Sequence, residues 1–277
     1  MPRLSPSSVA TLSLPFAEGM ITGKLLGEGP NLLLCLHGFR QNQDAFDRVW
    51  TKLPDGWQVL VLNLPPFGES KLSGQGEAVW RAWAETLRTH FPDKTWHLMG
   101  YSMGGKLALL LQQWQLFPLK SVCLIAPDGI RSHPIQEWAM YSRLGKWVFA
   151  QSLRMPRLIR WTVKQLYRMR LLDRFLYRMM DANYRTEANR QQLKRATELY
   201  SQERLNLSRL FAQTQELPVL LIFGKQDPLF PRKAAQSFVD ALPEGKLLLT
   251  DTGHELLTKH GELVRSEWQA WITTLFP

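Results

Sequence analysis

The feature that most constrains the fold of this 277-residue chain is the alternation of short apolar runs with helical segments. The runs are bounded by turn-forming residues such as Pro30 and Gly38, and they are short enough to be strands buried on both faces. They are NLLLCL (31–36), WQVLVLNL (57–64), TWHLMG (95–100), KSVCLIAP (120–127), LPVLLIFG (217–224) and KLLLT (246–250). Such an alternation predicts an α/β fold: a mostly parallel sheet with helices on both faces.

Other segments complete this prediction. Residues 9–26 contain Gly19 and Gly23 and are typical of an opening hairpin, and residues 42–52 are helix-like. Further helices are expected over about 231–241 and from about 259 onward. One apolar helical stripe is expected from Val79, Trp80, Trp83, Leu87 and Phe91. No internal repeat is evident.

The alternation stops between residues 128 and 213, where no strand-like run occurs. We therefore expect a core made of residues 1–128 and 214–277, with a helical insertion at 129–213. The positive charge of the chain belongs to this insertion, because residues 131–213 hold 17 Lys and Arg against 6 Asp and Glu. The rest of the chain holds 17 against 18.

Composition also limits the class of protein. Cys35 and Cys123 lie inside strand-like runs and are expected to be reduced, as in a reducing compartment. There is no CxxC motif and no Cys/His cluster, so no structural metal is expected. The N-terminal sequence lacks the apolar region of a secretion signal, and no apolar run is long enough to span a bilayer. We expect a cytoplasmic protein without a transmembrane segment.

Polar residues follow several of the predicted strands. Ser102 lies within GYSMGG (100–105), between an apolar run and the helical run GKLALLLQQW. His37, Gly38 and Phe39 follow an earlier strand, Asp227 follows a later one, and His254 follows the run KLLLT. In parallel sheets, ligands bind at the carboxyl ends of the strands, so these residues are expected to share one edge.

This set of residues suits acyl transfer. A serine hydroxyl needs a base to take its proton, and histidine titrates near neutral pH. A buried carboxylate then orients the imidazole and stabilises its charged form. We expect Ser102 as the nucleophile, His254 as the base and Asp227 as the acid. The backbone N–H groups of Phe39 and Met103 are expected to hold the oxyanion.

The sequence resembles the α/β-hydrolase superfamily over nearly its whole length apart from residues 131–213. The motifs that carry the resemblance are LHGF (36–39), LPPFGES (64–70), GYSMGG (100–105), GKQDPLFP (224–231) and DTGHELL (251–257). The resemblance assigns the same three side chains and two amides to the same roles. It also implies that residues 129–213 form a cap, and that hydrolysis of a carboxylic ester or thioester needs no cofactor or metal. Asn63 and Pro66 depart from the common pattern of the superfamily, which has Asp and Gly there.

Alternatives remain for two of the triad positions. Asp128 is a rival acid, because some members of the superfamily place their acid after that strand. Among the histidines, His90 is expected at the end of a helix and His97 within a strand. His37 lies beside the oxyanion turn, His133 in the insertion and His260 on the last helix.

Two other functions stay open. The stretch GYSMGGKLAL resembles the enzyme of menaquinone synthesis that eliminates pyruvate, although that group usually has Arg where Lys106 stands. A lyase or C–C bond hydrolase acting on a small acidic metabolite is therefore an alternative. The other alternative is a noncatalytic binder that recruits an acidic partner.

The insertion carries a basic helical stripe of Arg157, Arg160, Lys164 and Arg168, and we expect Leu158, Ile159, Leu166 and Met169 on the opposite face. Pro156 suits a first helical turn, and Asp173 suits the cap of the next helix. The stripe is either a solvated face or a contact surface. As a contact surface it would bind an acidic carrier protein, as in the similar pimeloyl-carrier-protein methyl ester esterases. Its other possible partners are an anionic lipid surface near Trp147 and Trp161, or a small acidic acyl substrate. No nucleic-acid-binding motif accompanies the charge.

Overall fold

A mixed, mostly parallel sheet organises the chain, in the order β1-β2-β4-β3-β6-β7-β8-β9, with the short β5 paired to β2. β1 and β2 form an antiparallel hairpin, β2 and β4 pair antiparallel, and every pairing from β4 to β9 is parallel. The strands are β1 (Val9–Phe16), β2 (Gly19–Leu26), β3 (Asn31–Leu36), β4 (Trp57–Leu62), β5 (Lys71–Leu72), β6 (Thr95–Tyr101), β7 (Leu119–Ile125), β8 (Val219–Gly224) and β9 (Gly245–Thr250). The predicted fold class is confirmed.

The computed structural model describes residues 9–130, 138, 141–201, 203–227, 229 and 232–276. It divides into two compact units. The core unit comprises residues 1–131 and 203–277, and the helical unit comprises residues 132–202.

In the core unit, the helices flank a sheet whose inner strands are apolar on both faces. Every residue of β4 and of β8 is buried, and so is every residue of the helix that follows β6. The helices of this unit are α1 (Glu77–His90), α2 (Met103–Gln113), α7 (Leu207–Gln213), α8 (Arg232–Asp240), α9 (Leu256–Lys259) and α10 (Gly261–Leu275). Burial on both faces explains why the strands read as continuous apolar runs.

In the helical unit, the helices are α3 (Arg143–Arg154), α4 (Pro156–Arg168), α5 (Arg174–Arg185) and α6 (Glu187–Tyr200). Pro156 occupies the first turn of α4, and the Asp173 carboxylate accepts hydrogen bonds from the first amides of α5, as predicted. α5 packs against α4 and α6. Asp181 on α5 pairs with Arg160 and with Arg185, each at 2.8 Å. These two partners lower the pKa of Asp181, with the Arg185 hydrogen bond as the larger cause.

Two predictions of secondary structure need correction. Residues 42–52 form only a short 3-10 helix, Gln43–Phe46, followed by turns. The buried side chains of Phe46, Val49 and Trp50 produce the helical spacing without a continued helix. The last helix is preceded by the separate short helix α9, and Gly261 begins α10 where its backbone approaches Arg48 too closely for a side chain.

On α4, the apolar residues predicted opposite the basic stripe are only partly covered. Val163 is its buried residue, and Ile159 and Leu166 are half-buried. Leu158 and Met169, on the predicted apolar face, are exposed. The packed side of α4 is set by α5, so apolar residues lie on both the packed side and the solvent side.

No helix within the described ranges is both long and apolar enough to cross a bilayer.

Candidate active site

Ser102 lies at the sharp turn between β6 and α2. Its backbone has φ 51° and ψ −116°, a conformation that residues other than glycine rarely adopt. Two glycines make the turn possible. A Cβ on Gly100 would approach the Gly104 carbonyl oxygen to 2.6 Å, and a Cβ on Gly104 would collide with the backbone of Leu36. The turn therefore needs glycine on both sides of the serine.

The backbone of Ser102 is fixed on both sides. Its N–H donates to the Ile125 carbonyl at the end of β7, at 3.0 Å. Its carbonyl accepts from the Lys106 N–H at 3.1 Å and from the Asp128 N–H at 3.0 Å. These bonds offset the cost of the unfavourable φ, so the Ser102 hydroxyl is held at one position.

The side chains of Ser102, His254 and Asp227 meet at the carboxyl edge of the sheet. His254 Nε2 lies 3.0 Å from Ser102 Oγ, and His254 Nδ1 lies 2.8 Å from Asp227 Oδ2. A carboxylate only accepts hydrogen bonds, so Nδ1 carries the proton and Nε2 is free to accept from the serine hydroxyl. Both His254 and Asp227 are buried. This arrangement can remove the proton from the serine as its oxygen attacks a carbonyl carbon.

The acid and the base are each oriented by further hydrogen bonds. Asp227 Oδ1 accepts from the Leu229 N–H at 2.8 Å, which leaves Oδ2 directed at the imidazole. The Tyr101 hydroxyl donates to the His254 backbone carbonyl at 2.9 Å, and the two rings lie 5.5 Å apart. The loops that carry Asp227 and His254 are joined by the Gln226 N–H donating to the Thr252 carbonyl, at 3.0 Å.

Two backbone amides were predicted to hold an oxyanion. Met103 is the first residue of α2, and Phe39 follows the His37–Gly38 pair after β3. Among the described residues, neither amide donates a hydrogen bond to another group of the chain. Free N–H groups at a helix start attract negative charge.

His37 braces the turn that carries Phe39. Its Nδ1 lies 2.8 Å from the Gly38 carbonyl oxygen, and its Nε2 accepts from the Leu64 N–H at 2.8 Å. The Gly38 N–H donates to the Gln41 side chain, also at 2.8 Å. Burial lowers the pKa of His37 from its usual 6.5 to about 4, and this outweighs the bond to Gly38, which raises it. His37 is therefore neutral and links the ends of β3 and β4.

The structure also places the rival acid. Asp128 follows β7. Among the described residues, its side chain forms no hydrogen bond or ion pair with His254, and its buried Oδ1 accepts no hydrogen bond. The neighbouring Lys106 is buried on α2, and burial lowers its pKa against the opposing effects of Asp128 and Glu203. Asp128 therefore acts on Lys106 through its charge, whereas His254 Nδ1 is paired with Asp227.

Among the described residues, no histidine other than His254 is hydrogen-bonded to Ser102 Oγ. His97 is buried in β6 with its Nδ1 2.8 Å from Ser121 Oγ, which agrees with a structural role. His90 is exposed at the end of α1, and His260 is exposed between α9 and α10 rather than within the last helix. His133 lies outside the described residues.

Sequence reasoning missed the contributions of Tyr101, His37 and Gln41. The only available signal was their position next to the motifs, because their partners are defined by the fold. Asn63, a departure from the common pattern, fixes its loop in another way. Its Oδ1 accepts from the Gln43 N–H at 2.9 Å, and its Nδ2 donates to Thr22 Oγ1 at 3.0 Å.

Comparison with known proteins agrees with this architecture. The family model for the alpha/beta hydrolase fold matches residues 31–260. The chain is 27% identical over 244 residues to the uncharacterized hydrolase YugF of Bacillus subtilis (strain 168), covering 85% of this chain and 88% of that protein. It is 25% identical over 249 residues to the pimeloyl-[acyl-carrier protein] methyl ester esterase of Neisseria meningitidis serogroup A, covering 86% of this chain and 76% of that protein.

Solved structures show the same fold at low sequence identity. The carboxylesterase CesB of Bacillus subtilis superposes with a TM-score of 0.66 at 18% identity, covering 97% of this chain and 93% of that chain. The thioesterase domain from the curacin biosynthetic pathway superposes with a TM-score of 0.61 at 16% identity, covering 94% of this chain and 98% of that chain. The sheet, the elbow and the family match over most of the sequence lead to one conclusion: the chain is an enzyme of the α/β hydrolase fold family.

Proposed function

We propose that this protein hydrolyses carboxylic esters or thioesters of a partly apolar acyl substrate, with Ser102, His254 and Asp227 as its catalytic triad. The observation that carries the proposal is the continuous hydrogen-bonded path from Ser102 Oγ to His254 Nε2 and from His254 Nδ1 to Asp227 Oδ2, at 3.0 Å and 2.8 Å. Such a path makes a serine hydroxyl nucleophilic in neutral water.

In the first half of the reaction, Ser102 Oγ attacks the acyl carbon while His254 Nε2 takes the hydroxyl proton. The carbonyl oxygen becomes negatively charged, and the amides of Phe39 and Met103 stabilise it by hydrogen bonds. His254 then gives its proton to the leaving alcohol or thiol. The product of this half is an acyl ester on Ser102 and a free leaving group.

In the second half, water replaces the alcohol. His254 takes a proton from water as its oxygen attacks the acyl carbon, and it returns this proton to Ser102 Oγ as the acyl group leaves as a carboxylic acid. Asp227 stays ionised throughout and stabilises the imidazolium. No step draws on a cofactor or a metal ion.

The curated relatives support the choice of bond. A pimeloyl-[acyl-carrier protein] methyl ester esterase matches most of this chain, and its name specifies a carboxylic ester. We propose the same bond type here. For the helical segment 129–213, we propose the role of a cap that selects the acyl group. Its half-buried Phe and Met side chains suit an apolar chain.

The environment of the two cysteines supports a cytoplasmic location for this proposed activity. Cys35 and Cys123 are free thiols buried in β3 and β7. Burial raises the pKa of both thiols, which keeps them protonated and unreactive.

The proposal is tested with p-nitrophenyl esters and acyl thioesters of increasing chain length, using the wild-type protein and Ser102→Ala. We expect turnover with a burst of leaving group equal to the enzyme concentration when deacylation is slow, and no burst from Ser102→Ala. Turnover of a small acidic metabolite by C–C cleavage or elimination, with no ester or thioester hydrolysis, would refute the proposal and select the lyase alternative. Salt-sensitive capture of an acidic partner with no turnover of any substrate would select the noncatalytic binder.

A further inference from the structure

A repeat of 14 residues spans α3 and α4, contrary to the expectation of no internal repeat. Residues 143–156 read RLGKWVFAQSLRMP, and residues 157–170 read RLIRWTVKQLYRMR. Aligned without a gap, the copies share Arg, Leu, Trp, Gln, Arg and Met, and a basic residue follows the shared Leu by two positions in both. Each copy lies on its own helix, α3 or α4, and the shared positions have the same spacing within both helices.

The two copies expose the same side chains to solvent. The large apolar residues shared by the two copies are between 48% and 66% exposed, and the shared arginines are exposed as well. Each helix ends in the same way, with the shared Met as its C-cap. We call this set the tandem face: Arg143, Leu144, Trp147, Arg154 and Met155, and in the second copy Arg157, Leu158, Trp161, Arg168 and Met169.

Among the described residues, no acidic side chain pairs with the arginines of the tandem face. Neither α3 nor α4 contains an Asp or Glu. The nearest acid on the neighbouring helix, Asp181, is already bonded to Arg160 and Arg185. Within the part of the chain that the structure describes, the four arginines of the tandem face form no ion pair. Each copy therefore offers two guanidinium groups to an external anion.

The apolar exposure is concentrated in the same place. Twelve large hydrophobic side chains of the described residues are exposed, and ten of them belong to the helical unit. Two of the ten are the tryptophans of the tandem face. Clusters of exposed apolar side chains of this kind mark sites that contact another surface.

We propose that the tandem face binds the surface of an anionic phospholipid bilayer. Arginine pairs with phosphate through two parallel hydrogen bonds, and tryptophan prefers the level of the headgroups, where its ring is buried and its N–H is hydrated. The Leu and Met side chains reach the boundary of the acyl chains. A helix that mixes basic and large apolar residues on its free side binds in this interfacial region.

The repeat favours a bilayer over an acidic protein. A folded partner presents different side chains to two successive helices, so it gives no reason for the same residues to recur at five equivalent positions. A leaflet presents the same phosphates and the same apolar boundary to both helices. The interleaving of Arg with Trp, Leu and Met also fits a partner in which charged and apolar layers are adjacent everywhere.

The binding surface is separate from the proposed chemistry, since none of its residues belongs to the triad or the oxyanion amides. Ser102→Ala is therefore expected to bind vesicles as the wild type does. Failure of the proposed hydrolysis would leave this inference untouched, and the converse holds as well.

The test is flotation of the full chain with vesicles of phosphatidylcholine alone and of phosphatidylcholine mixed with phosphatidylglycerol. We expect binding to the anionic vesicles that weakens as salt is added. Replacing the four arginines of the tandem face by Gln is expected to lower the partition coefficient by at least about 100-fold, because each basic residue near an anionic surface contributes substantially. Replacing Trp147 and Trp161 by Ala is expected to lower it by about 10-fold.

The matched control removes the same charge elsewhere. Lys52, Lys71, Lys120 and Lys246 are exposed in the core unit, and changing all four to Gln is expected to lower binding by less than about 3-fold. Circular dichroism and hydrolysis of a water-soluble ester verify that each variant is folded. If the four-arginine variant fails to fold, Arg143→Gln combined with Arg157→Gln replaces it, with an expected loss of about 10-fold.

Three results would overturn the inference. They are no binding to anionic vesicles at low salt, an equal loss in the control variant, and unchanged vesicle binding of the arginine variant. If the four-arginine variant binds vesicles as the wild type does but no longer binds purified acyl-carrier protein, the tandem face contacts an acidic protein instead.

Discussion

The core unit and the helical unit differ in how they treat apolar and charged side chains. In the core unit, β4, β8 and α2 are buried throughout, and even the polar groups His37, Lys106 and His254 are removed from solvent. In the helical unit, α4 buries only Val163 fully, and its tryptophan, leucine and C-terminal methionine are exposed. In the core unit, dense packing fixes the side chains. In the helical unit, several large apolar side chains are exposed to solvent.

The two units meet two different requirements: fixed positions for catalytic atoms in the core unit, and exposed side chains for contact with another surface in the helical unit. A serine triad needs atoms held within a fraction of an ångström, so it is built where backbone and side chains are fixed by packing. Contact with an external surface needs exposed side chains, and these cost stability only slightly when they lie on a helix that packs by its other side. The variants below are chosen to test whether the two units keep these roles apart.

The largest expected effect concerns the triad. Ser102→Ala is expected to lower kcat for a p-nitrophenyl ester by about 10⁶-fold, and Asp227→Asn by about 10⁴-fold, because the imidazole loses its orientation. His254→Gln is expected to match Ser102→Ala, and the double variant should be no worse than either single one. Steady-state kinetics measure these values. An Asp128→Asn variant with a loss as large as that of Asp227→Asn would transfer the acid role to the rival residue.

The next effect compares one leucine from each unit. Leu110 on α2 is 1% exposed and Leu158 on α4 is 48% exposed. Leu110→Ala is expected to lower the free energy of unfolding by about 2–5 kcal/mol, since it leaves a cavity. Leu158→Ala is expected to change it by no more than about 0.5 kcal/mol. Urea denaturation measures both, and similar losses at the two positions would break the contrast between the units.

A third effect is the loss of stability in acid caused by His37. Its pKa is about 4 in the folded chain against a usual value of 6.5. Between these values the unfolded chain binds the proton and the folded chain does not, so the free energy of unfolding decreases as pH falls from 6.5 to 4. The decrease from this group amounts to at most about 3 kcal/mol.

Urea denaturation at several pH values between 7 and 4 measures this dependence. In His37→Asn, the fall in stability with pH should be smaller than in the wild type. His90→Gln, which changes an exposed histidine, serves as the control and should leave the pH dependence unchanged. An identical pH dependence in His37→Asn and the wild type would show that His37 does not titrate in this way.

The smallest expected effect concerns Tyr101, whose hydroxyl holds the backbone of His254 at 2.9 Å. Tyr101→Phe keeps the ring and removes this one donor, so kcat is expected to fall by about 10-fold while KM changes little. Tyr167→Phe, in the helical unit, is the matched control and should leave kcat unchanged. Equal kcat values for wild type and Tyr101→Phe would remove Tyr101 from the positioning of the base.

Much of the core unit was predictable because its inner strands are apolar on both faces, which makes them visible as continuous runs. The residues brought together at the sheet edge were predictable for the same reason, since parallel strands place their carboxyl ends side by side. Tyr101 was not assigned a role, because its partner His254 lies 153 residues away and is defined only by the folded chain.

The helical unit was less predictable. The spacing of apolar residues shows that a helix forms, but it does not show which side a neighbouring helix covers. Leu158 and Met169 belong to the predicted apolar face of α4, yet they are exposed. Similarly, Phe46, Val49 and Trp50 have helical spacing and are buried, but they lie on a short 3-10 helix and in the turns that follow it.

The most direct test of the proposed triad is intact-protein mass spectrometry after reaction with a fluorophosphonate. The account predicts a single adduct, mapped to Ser102 by peptide analysis, that forms rapidly in the wild type, slowly in His254→Gln and not at all in Ser102→Ala. An adduct on another residue, or no adduct in a folded wild-type protein, would contradict it.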